Sequence, residues 1–158
     1  MHKHTHTGHE SPAEQSQTPK RLLPLLLVAQ LMVILDITAV NIAMPSLARD
    51  LHIPGATISW TITAYSLVFG SLLLLGGRAS DLLGRRRMFV TGLGVFAAAS
   101  FASATAGTAG ALFAARAGQG LGAAMLSPAA LAIIMTAFQG SRRTKALAAW
   151  GAVGGAPA

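Results

Sequence analysis

The sequence predicts an all-α, polytopic membrane protein, and three observations carry that prediction. Hydrophobic residues make up 53% of the 158-residue chain and charged residues only 11%, against about 25% charged in a soluble globular domain. The apolar residues fall into runs long enough to cross a hydrocarbon core of about 30 Å, which takes about 20 residues of helix. The basic residues gather in the short connectors between those runs.

Residues 1–21, MHKHTHTGHESPAEQSQTPKR, are polar and contain two prolines; with so few large apolar groups they cannot bury a core and read as a disordered, His-containing tail. His2, His4, His6 and His9 are not joined by a carboxylate or cysteine at a recognisable spacing, so no metal site is assigned to them. The first apolar run, about 22–44, is longer than the 7 to 15 residues of a signal-peptide core and holds Asp36 and Asn41, so it reads as a spanning helix. Further spans follow at about 58–75, 88–106 and 111–137. A fifth apolar run, 146–158, covers 13 residues, about 20 Å at 1.5 Å per residue, too short to cross. The expectation is an incomplete bundle over 22–158: the N-terminal part of something longer, or a truncated gene product that transports nothing.

Twelve basic residues stand against five acidic ones, a net charge of +7. Lys3, Lys20 and Arg21 precede span one, Arg78, Arg85, Arg86 and Arg87 separate spans two and three, and Arg142, Arg143 and Lys145 follow span four. Alternating crossings put these ten on one side, with only Arg49 opposite and Arg116 inside span four. The positive-inside rule assigns the basic side, with the N-terminus, to the cytoplasm of a cell membrane, where basic connectors lie against an anionic leaflet of the bilayer. That distribution argues against a nucleic-acid partner. Cysteine is absent, which removes disulfides and thiolate metal sites.

Two charges inside spans open the chemistry. Asp36, in LDITAVNIAMP, costs at least about 2.5 to 3.5 kcal/mol at the middle of a spanning helix; residues of this kind are functional by default. Thr38 and Asn41 share a helix face, whereas Asp36 and Asn41 lie about 140° apart at 100° per residue. Arg116, in LFAARAGQGLGAAMLSP, either snorkels to the headgroups or pairs with an anion. Span one runs outward and span four inward, which puts Asp36 about 12 Å and Arg116 about 8 Å below the same surface. A pair is therefore permitted, and it would make a proton switch, because burial disfavours a charged carboxyl and a neighbouring guanidinium favours it. In the same span Gly118 and Gly122 form a small-xxx-small pair for close helix approach, and Pro128 is a kink site. GLGVFA and GQGLGA fit a loose glycine string but lie inside spans without a preceding strand, and no GxxxxGK[ST] loop is present, so no nucleotide or other cofactor is assigned. An ion gradient is the energy source left.

The residues also carry a resemblance. GRASDLLGRRRMF, residues 77–89, resembles the signature between spans two and three of the major facilitator superfamily, with Gly77, Asp81, Gly84, Arg85 and Arg86 on its defining positions; Ala79 and Leu82 replace the usual leucine and arginine. LFAARAGQGLGAA is similar to the span-four signature, with Arg116, Gln119 and Gly120 in place, and LDITAVNIAMP resembles the span-one signature of the fourteen-span drug:proton antiporter branch. The resemblance implies a partial N-terminal bundle of a transporter built from three-helix repeats, exporting a small cationic or amphipathic substrate in exchange for protons, and requiring further C-terminal helices. It makes Arg116 the coupling arginine, Asp36 an acid facing the cavity, with Asn41 and Gln119 beside the pathway, and 77–86 a cytoplasmic gating loop. A sugar or metabolite porter of the same superfamily is the alternative that only the span-one signature disfavours.

Overall fold

In a computed structural model, which describes residues 21–155 except 51 and 53, the chain forms five helices: α1 (Leu22–Asp50), α2 (Gly55–Leu83), α3 (Arg85–Ala104), α4 (Ala109–Ala137) and α5 (Gly140–Val153). The tail with its four histidines and the last three residues, Pro157 among them, lie outside the described residues. There is no strand among the described residues. The first four helices are long and apolar enough to cross a membrane, with mean hydropathies between 1.3 and 2.3. Helix α5, with 14 residues, reaches about 21 Å.

The helices overrun the apolar runs that announce them. Helix α1 continues through Pro45 to Asp50, and α2 continues eight residues past Leu75, through Gly76 and Gly77. The segment expected as a gating loop is thus the last turns of α2 and the first turn of α3, joined at one residue. That residue is Gly84, with φ 95° and ψ 126°, a conformation that a side chain would strain. Helix α5 likewise starts at Gly140, six residues before the apolar run. Proline and glycine cost less here than in water, because neighbouring helices re-satisfy freed backbone groups. Helix α4 is capped by Thr108, whose Oγ1 accepts from the Ala111 amide at 3.2 Å.

Helix α4 is the centre of the bundle, packed along its length on α2 and α3, while α1 lies against α5 and touches α2 and α4 more sparsely. Lipid is as apolar as leucine, so helices associate by close van der Waals approach, which small residues allow. A Cβ on Gly122 would sit 2.6 Å from the Phe96 amide nitrogen, so α3 and α4 meet backbone to backbone as the small-residue pair predicts; Gly118 faces Ala99 on the same side. Pro128 lacks the N–H that would bond the Ala124 carbonyl, and that oxygen lies against Gly76 of α2, close enough for a Cα–H···O contact. The outer faces carry Leu74, Leu82, Ile42 and Phe101, all highly exposed. Such a surface is an interaction face in water; on membrane-crossing helices it meets acyl chains. Thr38, Thr63 and Thr136 donate their hydroxyls to carbonyls one turn back in their own helices, which lets them face lipid without an unsatisfied group.

Candidate functional site: a buried ion pair and its cradle

Four helices meet around one guanidinium. Arg116 lies two turns into α4, where its side chain is 2% exposed, and its Nη1 donates to Asp36 Oδ2 of α1 at 3.0 Å and to Gln119 Oε1 at 2.8 Å. Gln119 is one turn further on, so the α4 backbone itself sets both side chains on one face. Its Nε2 donates to Asp36 Oδ1 at 2.7 Å and to Ser100 Oγ of α3 at 3.0 Å, and the Ser100 hydroxyl donates to Asp36 Oδ1 at 3.2 Å. The carboxylate accepts from three side chains, those of Arg116, Gln119 and Ser100. On the remaining side the guanidinium carbon stands 4.7 Å from the ring centroid of Tyr65 in α2, a cation–π distance. Tyr65 in turn stacks on Phe69, with centroids 5.9 Å apart and planes 12° from parallel. Arg116 Nε is buried without a hydrogen-bond partner.

The pair is asymmetric in access. Asp36 is 16% exposed and lines a cleft of about 370 Å³ between α1 and α3, with Ala39, Val40, Ala43, Ser100 and Ser103 around it. The acid can therefore be reached from the cleft, whereas the arginine is sealed. A buried pair with every carboxylate oxygen satisfied avoids the penalty of an unmatched charge, and its worth lies in specifying one arrangement more than in net stability.

Asp36, Arg116 and Gln119 are thus brought together. Asn41 is not: it is exposed and outside the network, as the 140° offset requires. The remaining expected residues sit at the other end of the bundle. Asp81 Oδ1 is 3.7 Å from Arg85 Nη2 across the Gly84 break, both side chains well exposed, and Arg86 is exposed beside them. Gly77 stands 4.0 Å from Pro128 Cβ, counted from where its own Cβ would be, so it has room for a methyl group. Sequence reasoning missed Ser100 and Tyr65. A serine in a spanning helix usually bonds its own backbone and gives no signal; Tyr65, the sole tyrosine of the chain, offered one. Among the described residues no group of three or more His, Cys, Asp or Glu could hold a metal ion.

Four helices long and apolar enough to cross a bilayer, closed around a hydrogen-bonded ion pair, define a multi-pass membrane protein. Comparison with known proteins places it further. Residues 26–157 match the model of the Major Facilitator Superfamily, and the chain belongs to that superfamily. It is 51% identical over 149 residues to a puromycin resistance protein of Streptomyces alboniger, 41% over 134 residues to a cephamycin export protein of Amycolatopsis lactamdurans, and 38% over 146 residues to a lincomycin resistance protein of Streptomyces lincolnensis. These alignments cover 92%, 84% and 89% of the chain but 30%, 28% and 30% of the relatives. The chain thus spans about 30% of the length of the relatives it matches.

Proposed function

We propose that this chain is the N-terminal part of a drug exporter of the fourteen-span branch that exchanges a cationic or amphipathic small molecule for protons, with Asp36 as the proton-carrying group and Arg116 as its switchable partner. The observation that carries the reading is the Asp36–Arg116 pair, sealed on the arginine side and open to a cleft on the acid side. A proton arriving through the cleft neutralises the carboxylate and removes the attraction that holds α1 to α4; departure of the proton restores it. That couples one titration to one helix contact, which is what an ion-driven conformational cycle requires. The names of the relatives, resistance and export proteins for antibiotics, support export as the direction. The remaining helices of the transport path would come from the rest of the intact gene product, and the basic ends of the helices would face the cytoplasm. Asp81, Arg85 and Arg86 would act at the cytoplasmic end, where an exposed acid on the last turn of α2 can change partners between states at little cost.

The test is substrate accumulation in everted membrane vesicles carrying the intact gene product, with a fluorescent cationic drug and an imposed pH gradient. Accumulation should stop when the gradient is collapsed, and Asp36→Asn should abolish it while the protein still inserts. Accumulation that survives loss of the gradient, or wild-type accumulation by Asp36→Asn, would remove Asp36 from the coupling step.

A further inference from the structure

Arg116 is held by groups of two kinds. Asp36 is brought by α1, which meets α2 and α4 sparsely, whereas Gln119 and Tyr65 belong to α4 and α2, which are locked together. One turn after Arg116, a Cβ on Gly120 would stand 2.6 Å from the Tyr65 carbonyl oxygen and 3.2 Å from the Phe69 amide nitrogen, so α2 cannot leave α4 without unpacking the bundle. The Tyr65 ring is further fixed by its stack on Phe69. When the carboxyl of Asp36 is neutral, the guanidinium keeps its full charge, since arginine does not deprotonate in proteins. At 2% exposure water cannot replace the lost anion, and Nε already lacks a partner. What remains in contact is the uncharged Asp36 group, the amide oxygen of Gln119 and the face of one ring, none of which carries a compensating charge.

We infer that Tyr65 is a positioning residue for the coupling pair: its ring face holds the Arg116 guanidinium in place while Asp36 is neutral, so that the arginine does not swing out of register before the carboxylate returns. The inference rests on the proton-exchange reading above. Among the described residues the ionisable groups that face Arg116 are Asp36 from α1 and Tyr65 from α2; α3 brings the neutral Ser100, and α5 carries Arg142, Arg143 and Lys145 exposed at the opposite end of the bundle. The ring attracts the cation through its quadrupole, and that attraction counts for more when the neighbouring carboxyl is neutral, because the guanidinium is then without its anion.

The test replaces Tyr65 in the intact gene product by phenylalanine and by trifluorinated phenylalanine, which share shape and packing while fluorination strips the negative charge from the ring face. Each is made with Asp36 present and with Asp36→Asn, which imitates the neutral carboxyl. Fluorination should lower the folding equilibrium constant in detergent about tenfold, equivalent to about 1.4 kcal/mol, in the Asp36→Asn background, and less than about threefold with Asp36 present. Equal losses in both backgrounds would overturn the inference, and this comparison uses no transport, so it stands even if protons are carried elsewhere. In transport, the acid limb of the pH profile should move about 0.5 to 1 unit lower on fluorination, the logarithm of the difference between the two backgrounds, because losing the ring disfavours the state in which Asp36 is neutral. Tyr65→Phe should keep the wild-type profile. An unmoved limb in a protein whose Asp36→Asn variant is inactive would also overturn it.

Discussion

Removing both members of the central pair should cost well under the sum of the two single removals, and the structure sets the sizes. Asp36→Asn keeps the shape of the side chain and strands a guanidinium that is 2% exposed. It retains Gln119 Oε1 and the Tyr65 ring, which places the loss at about 3 kcal/mol, the low end for breaking a buried pair. Arg116→Gln strands a carboxylate instead, but that carboxylate keeps the Gln119 and Ser100 donors, borders the cleft, and can take up a proton. Its loss should be smaller, about 2 kcal/mol. The double variant has no charge to strand and should lose about 2 kcal/mol, not the sum of about 5, giving a coupling of about 3 kcal/mol. Denaturant unfolding of the intact gene product in mixed micelles, followed by tryptophan fluorescence and repeated for the four corners of the cycle, measures all of these. Losses that add to within about 0.5 kcal/mol would show that the two side chains do not share their energy, and Asp36→Asn proving the milder single change would refute the access asymmetry on which the proton reading depends.

Two further outcomes follow from the packing and from the basic end. Gly122→Val places a branched side chain where the Phe96 backbone already stands; it should destabilise the bundle by about 3 kcal/mol or more, at the top of the range for overpacking, and lower membrane abundance in a blot, whereas Gly94→Val, with open space around it, should leave abundance unchanged. Asp81→Asn removes an exposed ion pair with Arg85 across the Gly84 break, worth about 0.2 to 1 kcal/mol at most, so melting should barely move while drug export collapses; full export by this variant would leave the basic segment with topology alone.

The existence of the four crossing helices was legible because each buries an apolar run of sufficient length, a property of composition that needs no partner. Their ends were not. Gly76 and Gly77 read as a break under the propensities of helices in water, yet α2 runs through them because Gly76 is where α4 comes closest. Depth permitted the Asp36–Arg116 contact, since the rise of a helix is fixed, but it did not choose that contact over snorkelling of Arg116 to the headgroups. The rest of the cradle depends on how α2 and α3 are rotated about their own axes. Nothing along α3 distinguishes Ser100 from Ser103 until that rotation is known, and the same holds for which face of α2 presents Tyr65.

Asp36 and Arg116 are 80 positions apart in the chain, and that separation has a meaning during synthesis. At about 5 to 20 residues per second, the acid leaves the ribosome roughly 4 to 16 seconds before the arginine. Helix α1 must therefore wait in the insertion machinery, or in lipid, with a carboxyl whose counter-ion has not yet been translated. A neutral carboxyl can wait there at modest cost and a guanidinium cannot. With the acid first and the base later, the member able to shed its charge endures the wait, and the permanent cation enters a membrane where its anion already stands.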